Sequence, residues 1–307
     1  MPRYTNLNGT TPDDKSPMDL VKWLVVDRLN GKRPVREPSF APPRVENNGH
    51  ALTSLEGSLT WIGHSSFAMR LGGKLVLTDP IWSASVGMVR RKAPPGVAFA
   101  DLPSVDIVTV SHAHYDHLDL PTLRSIGPDA LYVVPKDVGP VLRSAGLPNV
   151  VELGWWESYD AGTVRITLVP AHHWSMRTPW DRNRRLWGGF VYEGPEGSAY
   201  HAGDTAYDER VFSEIAGRFG NLDWAMMPIG AYEPEWFMSS QHIGPEDAGL
   251  AWKTLRAKNF VSMHWGTFRL TDEPMSAPPA RIAQWFENEG LPRDRLWTLA
   301  VGETRAL

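Results

Sequence analysis

Ten short apolar or alternating runs follow one another from Ser58 to Trp265, and they constrain the fold more than any other feature of this chain. Each run is bounded by Gly, Pro, Asp or Asn, which is typical of β-strands. Helical patterns fall between some of the runs. Short strands with interspersed helices, beginning with a series of hairpins, predict a layered α/β fold with mixed sheets. The runs are LTWIG, FAMRL, KLVLTD, VDIVTVSH, ALYVVP, VRITLVP, GFVYEG, SAYHAGD, LDWAMMP and NFVSMHW, and the helical patterns lie at about 119–127, 136–146, 208–219, 245–257 and 278–290.

A further helix is predicted ahead of these runs. Ser16 can cap it, Pro17 suits its first position, and Gly31 can end it. We expect its apolar stripe to pack on the domain, as amphipathic helices generally do. A lid or a foot on a membrane surface is the alternative. The stripe consists of Leu20, Val21, Trp23, Leu24 and Leu29.

The segments around this helix set the predicted domain boundaries. Residues 1–16 are polar and predict a flexible arm, and residues 32–55 are rich in Pro and Asn and predict a connecting segment. No break in composition follows residue 58. We therefore expect residues 1–57 to form an arm and a helix packed on one large domain, residues 58–307.

Composition excludes several classes of function. The net charge of −4, without a block of like charge, argues against a nucleic-acid-binding protein. The absence of cysteine excludes disulfides and thiolate metal sites. The polar N-terminus lacks the apolar core of a signal peptide, and no apolar run approaches the ~20 residues that span a bilayer. We expect a cytoplasmic protein with at most peripheral membrane contact.

Four of the apolar runs end in side chains that can bind metal ions. In α/β folds, functional groups gather in the crevice at the carboxyl ends of the strands. If these strands lie side by side, their ends converge on one site. The side chains at the four ends are His112, the pair His172 and His173, Asp204, and His264.

The first of these ends carries the dense motif SHAHYDHLD, residues 111–119. His112 and His114 are two apart on extended chain and can turn toward one ion, while Asp116 and His117 can address a second. Imidazole and carboxylate suit zinc, and also iron, manganese or nickel. Two ions about 3.5–4 Å apart clamp a hydroxide and the oxygens of a displacement reaction. A surplus of ligands without cysteine favours catalysis over a closed structural zinc site.

These motifs resemble a known family. SHAHYDHLD resembles the H-x-H-x-D-H signature of the metallo-β-lactamase superfamily, and AHHW, HAGDT and SMHWGT follow in the order of its remaining motifs. The runs LTWIGHSSF, LTDPIWS, ELGWWE, HAGDTAY, PIGAYEPEWFMSSQHIGPEDA and HWGTF are similar to the branch that contains N-acyl-phosphatidylethanolamine-hydrolysing phospholipase D and its bacterial relatives. The resemblance covers about residues 58 to 305.

The resemblance implies a four-layer αββα sandwich of two mixed sheets, with an N-terminal helical extension and two zinc ions, for which iron or manganese could substitute. It favours His173 over His172, because His173 fits the family's P-x-x-H pattern, which starts here at Pro170. The first ion would be held by His112, His114 and His173, and the second by Asp116, His117 and His264, with Asp204 bridging the two.

The resemblance also implies a reaction. We expect hydrolysis of a small-molecule or lipid phosphodiester, such as N-acyl-phosphatidylethanolamine, by a hydroxide that bridges the two ions. Asp116 would orient the hydroxide in addition to binding metal. His242 would contact the substrate phosphate or protonate the leaving oxygen. Tyr115 and Gln241 are further candidates for binding the substrate.

Other functions remain open on the sequence. The same centre would suit a lactonase or ester hydrolase that acts on an anionic, phosphorylated lactone. A metal-binding protein without turnover is a third possibility. A redox di-iron protein is a fourth, although that branch of the superfamily usually has Glu where His114 stands.

Several neighbours of the motifs have predicted supporting roles. Asp79 is expected to orient a metal ligand through a hydrogen bond, and Asp119 to cap the helix that follows it. For His64 a buried histidine with satisfied hydrogen bonds is favoured over a functional role, which stays the alternative, and His201 is expected to pack beside the Asp204 loop. Two groups of basic residues near the motifs are expected to lie in solvated loops, with the alternative that they rim the cleft and attract an anionic substrate; they are Arg90, Arg91 and Lys92, and Arg177, Arg182, Arg184 and Arg185.

Overall fold

The computed structural model of the protein describes residues 3–11, 15–31 and 40–307. Within these ranges, the strands form two seven-stranded sheets and one small hairpin. In chain order the strands are β1 (Ser58–Gly63), β2 (Ser66–Leu71), β3 (Lys74–Thr78), β4 (Ser85–Val86), β5 (Val89–Arg90), β6 (Ile107–Thr109), β7 (Leu131–Pro135), β8 (Val150–Leu153), β9 (Ser158–Asp160), β10 (Arg165–Val169), β11 (Gly189–Gly194), β12 (Gly197–His201), β13 (Trp224–Pro228), β14 (Asn259–Met263), β15 (Leu296–Trp297) and β16 (Thr304–Ala306).

Both sheets are mixed. The first has the strand order β16-β1-β2-β3-β6-β7-β8 and the second has the order β15-β14-β13-β12-β11-β10-β9. In the first sheet, β16, β1, β2 and β3 pair antiparallel, and β3, β6, β7 and β8 pair parallel. In the second, β9 to β12 pair antiparallel and β12 to β15 pair parallel. The predicted α/β class with mixed sheets is confirmed.

The helices connect and cover these strands. Five of them, α4, α5, α6, α8 and α9, lie within a few residues of the helical patterns read from the sequence. In chain order the helices are α1 (Pro17–Val21), α2 (Asp27–Leu29), α3 (Ala51–Ser54), α4 (Leu120–Ile126), α5 (Gly139–Ser144), α6 (Glu209–Phe219), α7 (Glu235–Met238), α8 (Pro245–Leu255) and α9 (Ala277–Asn288), with a π-helical turn at Lys22–Val26 between the first two.

Strand β3 shows how the layers are built. Successive side chains of a strand point to opposite faces. Val76 therefore joins the apolar core between the two sheets. Leu75 and Leu77 point the other way and pack in a separate core with Leu123 of α4 and Leu142 of α5. Both faces of the strand are buried, which explains why these strands read as continuous apolar runs.

Helices α6, α8 and α9 cover the second sheet in the same way. The ring of Phe286 in α9 lies 5.1 Å from that of Trp252 in α8 and 5.8 Å from that of Phe260 in β14. Phe212 of α6 belongs to the same core. The order of layers is helices, sheet, sheet, helices, so the αββα sandwich expected from the resemblance is confirmed.

The N-terminal helical extension is also present. Ser16 and Asp19 form a reciprocal capping box at its start, and Gly31 beyond its end has a φ of 68°. Its apolar stripe differs from the prediction. Trp23 is buried against Phe237 and Met238, but the other members of the stripe are exposed to solvent: Leu20, Val21, Leu24 and Leu29.

The described part of the arm, residues 3–11, is not free. The Tyr4 amide donates to the carbonyl of Asn183 at 2.8 Å, and the Tyr4 hydroxyl donates to Asp137 at 2.6 Å. Asn6 is buried. The prediction of a flexible arm is therefore wrong for this stretch, while residues 32–39 of the predicted connecting segment lie outside the described residues. In the ranges that the structure describes, no helix is long and apolar enough to cross a membrane.

Candidate metal centre

The four strand ends predicted from the sequence converge. His112 follows β6 in the first sheet, while His173, Asp204 and His264 follow β10, β12 and β14 in the second. The residues of the SHAHYDHLD loop face the other three ends across the gap between the sheets. Seven predicted ligands come together here, and they divide into two groups with Asp204 between them: His112, His114 and His173 on one side, and Asp116, His117 and His264 on the other.

In the first group, the donor atoms surround a small space. Nε2 of His112 and Nδ1 of His114 lie 2.9 Å apart, and Nε2 of His173 lies 3.3 Å from the same Nδ1. Oδ2 of Asp204 lies 3.8 Å from Nε2 of His112 and from Nε2 of His173. These four side chains can hold a metal ion.

In the second group, Asp116 is the common neighbour. Its Oδ2 lies 3.7 Å from Nε2 of His117 and 3.7 Å from Nε2 of His264. Asp204 also reaches this group, because its Oδ2 lies 3.2 Å from Nε2 of His117 and its Oδ1 lies 3.2 Å from Nε2 of His264. His64 is a fourth side chain that can share a metal ion with Asp116, His117 and His264.

The buried nitrogen and oxygen atoms are arranged for binding metal ions rather than for hydrogen bonding with one another. Ring nitrogens of His117 and His264 and Oδ1 of Asp204 are buried without a hydrogen-bond partner. Burying such atoms unpaired is costly. Two of the four separations given for the second group, at 3.7 Å each, are too long for hydrogen bonds. They resemble the edges of a coordination shell with bonds of about 2.0–2.2 Å.

Burial prepares the imidazoles of the first group to bind metal. It lowers the pKa of His114 to about 4 and that of His173 to about 3, and it lowers the pKa of His112 well below its usual value. These rings are therefore neutral at pH 7, which is the form that binds metal.

In the second group, nearby carboxylates outweigh the effect of burial on the pKa values of the histidines. Burial alone would lower the pKa of His264, but the carboxylates of Asp204 and Asp116 outweigh it and raise the pKa to about 9. The pKa of His117 is raised well above its usual value in the same way. For Asp116, burial opposes ionisation, yet the histidines around it hold the pKa of the carboxyl well below its usual range.

Hydrogen bonds around the centre orient the ligands. Asp79 accepts from the Ser111 amide at 2.7 Å, from the Ser111 hydroxyl at 2.6 Å and from Nδ1 of His117 at 2.7 Å, which is the role predicted for it. Nδ1 of His173 donates to the carbonyl of Gln241 at 2.8 Å. The amide of His173 donates to Asn6 Oδ1 at 3.1 Å. Such contacts fix the direction of a ligand ring.

The residues predicted to bind substrate lie at different distances from the centre. Nδ1 of His242 lies 3.9 Å from Oδ2 of Asp204. Gln241 contacts the centre through its carbonyl, while its side-chain amide points toward the sulfur of Met238 at 3.8 Å. The Tyr115 side chain is exposed, and its hydroxyl donates to the carbonyl of Arg177.

Two other predictions concern His172 and Asp119, which neighbour the centre. His172 lies outside both groups, with Nδ1 3.0 Å from Oδ2 of Asp208. Asp119 occupies the N-cap position of α4, but its side chain does not cap the helix backbone. It accepts instead from the hydroxyls of Ser83 and Thr122, so the predicted capping bond is wrong.

Two residues contribute to the centre beyond the seven predicted ligands: His64, for which a functional role was the less favoured alternative, and Asn6. His64 is buried as expected, but neither of its ring nitrogens has a hydrogen-bond partner, so the prediction of a hydrogen-bonded core histidine is wrong for its ring. His201 packs beside the Asp204 loop as expected, since its Nδ1 accepts from the amide of Gly203 at 3.2 Å, while its Nε2 donates to the carbonyl of Ser65 at 2.9 Å. Asn6 carried no signal in the sequence, because it lies in a polar segment far from every motif.

Some of the basic residues do rim the centre. The Tyr115 ring lies under the guanidinium of Arg177 at 3.9 Å, and the Trp174 ring lies under that of Arg182 at 4.2 Å. Trp174 in turn packs edge-on against His114, with ring centroids 4.4 Å apart. Arg185 instead pairs with Asp181. The rim next to the first group is therefore aromatic and positively charged.

The sequence of this chain is similar to those of known proteins. Residues 74–265 match the sequence model of a family described as "Beta-lactamase superfamily domain". The chain is 35% identical over 263 residues to N-acyl-phosphatidylethanolamine-hydrolyzing phospholipase D 1 of Caenorhabditis elegans, covering 80% of this chain and 74% of that protein. It is 33% identical over 316 residues to the mitochondrial N-acyl-phosphatidylethanolamine-hydrolyzing phospholipase D of Saccharomyces cerevisiae, covering 91% of this chain and 67% of that protein.

A solved structure supports the fold alone. The isothiocyanate hydrolase from Delia radicum gut bacteria superposes with a TM-score of 0.66 at 21% sequence identity. The superposition covers 81% of this chain and 99% of that structure.

Proposed function

Because this chain belongs to the metallo-β-lactamase superfamily and is a metal-dependent hydrolase of that superfamily, we propose that it is a phosphodiesterase of phospholipase D type. Its substrates are N-acyl-phosphatidylethanolamine or related phosphodiesters. The observation that carries the proposal is the position of Asp204, whose two oxygens reach histidines of both ligand groups. Its two relatives that are named for this activity support the choice of substrate class.

The proposed centre holds two metal ions. His112, His114 and His173 would hold one, Asp116, His117 and His264 would hold the other, and Asp204 lies between the two groups. Zinc suits this set of nitrogen and oxygen donors, as do iron and manganese. When bound, such ions lower the pKa of a water molecule and polarise a phosphoryl oxygen.

Side chains of the protein orient the water molecule and the substrate. Asp116 lies beside the second group with its pKa held low, so it stays an acceptor that can direct a water molecule toward phosphorus. His242, next to Asp204, is assigned to the substrate phosphate or the leaving oxygen. Tyr115 and Gln241 are assigned to the substrate at the rim.

Charge and shape around the centre favour an anionic lipid. The guanidinium groups of Arg177 and Arg182 lie on the rim, where they attract a phosphodiester. Trp23 ties the N-terminal helix to Phe237, at a ring distance of 4.9 Å, and Phe237 lies just before His242 in the chain. The exposed apolar side chains of that helix would therefore meet a membrane close to the centre. We propose peripheral membrane contact there, and a cytoplasmic location stays a prediction.

The experiment is a substrate panel run with measurement of bound metal. Protein loaded with zinc, manganese or iron is assayed on N-acyl-phosphatidylethanolamine, a soluble phosphodiester, a phosphorylated lactone and a carboxylic ester. We expect about two equivalents of metal and release of the N-acylethanolamine from the lipid. Turnover of the lactone or the ester without any turnover of phosphodiesters would reject the proposal in favour of a lactonase or ester hydrolase.

Asp116→Asn tests the assignment within the centre. The amide keeps the shape of the side chain but loses its charge, so we expect turnover to fall at least about a hundredfold while the thermal unfolding temperature stays within a few degrees. Asp160→Asn, at an exposed position of β9, is the matched control. Retained turnover in a folded Asp116→Asn variant would remove Asp116 from the mechanism.

A further inference from the structure

His64 occupies a rigidly held turn between β1 and β2. The strand register shifts between Trp61 and Gly63, and irregularities of this kind re-aim side chains near active sites. The His64 backbone has a φ of 57°, a conformation that non-glycine residues adopt only where the surroundings impose it.

The contacts that impose it come from the loop that carries His264. The His64 amide donates to the hydroxyl of Thr267 at 2.6 Å. The His64 carbonyl accepts from the amide of His264 at 3.1 Å and from Nε1 of Trp61 at 2.9 Å. The main chain of His64 is therefore fixed to the end of β14, and its ring is aimed at the second ligand group.

Neither ring nitrogen of His64 makes a hydrogen bond of normal geometry, and the nearest partner of Nε2 is Oδ2 of Asp116 at 3.4 Å. His64 is 1% exposed, and both of its ring nitrogens lack a hydrogen-bond partner. It packs against the ring of His264 at a centroid distance of 4.1 Å and against the edge of Phe268 at 5.3 Å. A histidine that served only to fill this space would leave Nδ1 unpaired and Nε2 with only its 3.4 Å approach to Asp116, which proteins generally avoid.

The distances around Asp116 indicate what the ring does. Nε2 of His64 lies 3.4 Å from Oδ2 of Asp116, and Nε2 of His117 and of His264 each lie 3.7 Å from the same oxygen. Bonds of about 2.0–2.2 Å to a single ion at tetrahedral angles separate the ligand atoms by roughly 3.4 Å. Three imidazoles thus surround one carboxylate oxygen at the spacing that a shared ion requires.

We infer that His64 is a further metal ligand, which binds the same ion as Asp116, His117 and His264. This inference rests on the proposed two-metal function. It makes the two positions unequal, because the ion of the second group has four ligands of its own before Asp204 is counted. The first position, with three ligands of its own besides Asp204, is the more open one for substrate.

The test is a zinc titration of metal-free full-length protein by calorimetry, comparing the natural chain with His64→Asn. Asn tolerates a positive φ but is too short to bring a donor to the ion. His50→Gln, at an exposed histidine outside the centre, is the control. We expect two equivalents in the natural chain and in the control. In His64→Asn, one ion should bind as before and the other at least tenfold more weakly, with circular dichroism unchanged.

Two results would overturn the inference: a folded His64→Asn variant that binds two ions with natural affinity, or a natural chain that never binds a second ion. If His64→Asn does not fold, imidazole ¹⁵N chemical shifts of the natural chain decide the question during the same titration. The Nε2 resonance of His64 should move as the second group fills, and a stationary resonance would overturn the inference.

The outcome for His64 is separable from the outcome for the proposed function. A natural chain that binds two ions with a shifted His64 resonance, yet hydrolyses nothing in the panel, would reject the phosphodiesterase proposal alone. Phosphodiester turnover together with unchanged metal binding in His64→Asn would reject the ligand role alone.

Discussion

Protons and metal ions compete at individual residues of this centre, and the competition differs between the two ligand groups. Burial leaves His114 and His173 neutral at pH 7, with pKa values of about 4 and 3. His264 keeps its proton to a pKa of about 9 because Asp204 and Asp116 outweigh its burial. The metal-free centre therefore carries its positive charge on the side of the second group.

This asymmetry predicts proton release on metal binding. At pH 7 an ion entering the second group must displace protons from His117 and His264, whereas the first group has none to lose. The affinity of the second group should rise with pH through the His264 pKa of about 9, because the pKa of His117 is also raised well above its usual value, and that of the first should stay nearly constant. Calorimetry in buffers of different ionisation enthalpy measures the release. Binding enthalpies that are independent of the buffer would contradict the prediction.

Replacing Asp79 tests how strongly its hydrogen bond to the His117 ring affects metal affinity. Its carboxylate accepts from His117 Nδ1 and from the amide and hydroxyl of Ser111. Asp79→Asn keeps the shape but replaces one acceptor oxygen with a donor, so His117 loses its orientation. We expect metal affinity of the second group to fall about 10–100-fold. Zinc titration measures this, with Asp160→Asn as the control, and an unchanged second affinity would show that Asp79 serves only to hold the fold.

Among the secondary-structure elements, those that carry the centre were predictable because they are buried on both faces. Strands β6, β10, β12 and β14 read as apolar runs, and each is followed by its ligands. Strands β8, β9, β15 and β16 were not predicted, and each has only two to four residues. The same holds for α3 and α7, which have four residues each. Strand β6 has only three residues, but the apolar run that contains it extends from Val105 to Val110.

A role for His64 in the centre was not the favoured prediction, for a different reason. It stands in a hairpin turn and not at the end of a parallel strand, so the rule that locates functional groups at carboxyl ends does not reach it. Its direction depends on the register shift before Gly63 and on the bond to Thr267, and neither leaves a pattern in the sequence. Asn6 is similar, since only packing of the two sheets brings it to His173.

The N-terminal helix should open locally as a unit when Trp23, which holds it to the domain, is replaced. Trp23 stacks on Phe237, and its Nε1 donates to Asp272 at 2.6 Å. Because most of the helix is otherwise exposed, we expect Trp23→Ala to open it locally. Hydrogen–deuterium exchange should rise in peptides covering residues 15–31 and stay unchanged in β10 to β12. Leu29→Ala, at an exposed site, is the control, and a uniform rise across the chain would contradict local opening.

Taken as one molecule, the protein builds its centre from both halves of the sandwich. The first sheet contributes the SHAHYDHLD loop and the second contributes His173, Asp204 and His264. Neither sheet has a complete set of ligands for either group, so the centre exists only when the two sheets pack together. Bound metal therefore stabilises the packed state, since ligands that bind only the folded form shift the folding equilibrium toward it.

The outer face of the N-terminal helix is the surface on which a membrane contact can be tested. Its exposed apolar side chains are joined by Lys22, whose ammonium lies 3.6 Å from the ring centre of Trp236, so apolar and basic groups occur together there. That combination favours binding to anionic bilayers. The exposed apolar residues of the helix are Met18, Leu20, Val21, Leu24, Val25, Val26 and Leu29.

We therefore predict that the protein sediments with vesicles of phosphatidylcholine and phosphatidylglycerol. Replacing Val25 and Leu29 together by Ser should weaken this binding at least about tenfold, because each buried aliphatic side chain contributes about 1.5–3 kcal/mol. Turnover of a soluble phosphodiester should be unchanged, since both side chains point into solvent. Met88→Ser, which removes a fully exposed side chain elsewhere, is the control. If the double variant sediments like the natural chain, this face does not contact lipid, and the substrate reaches the centre by another route.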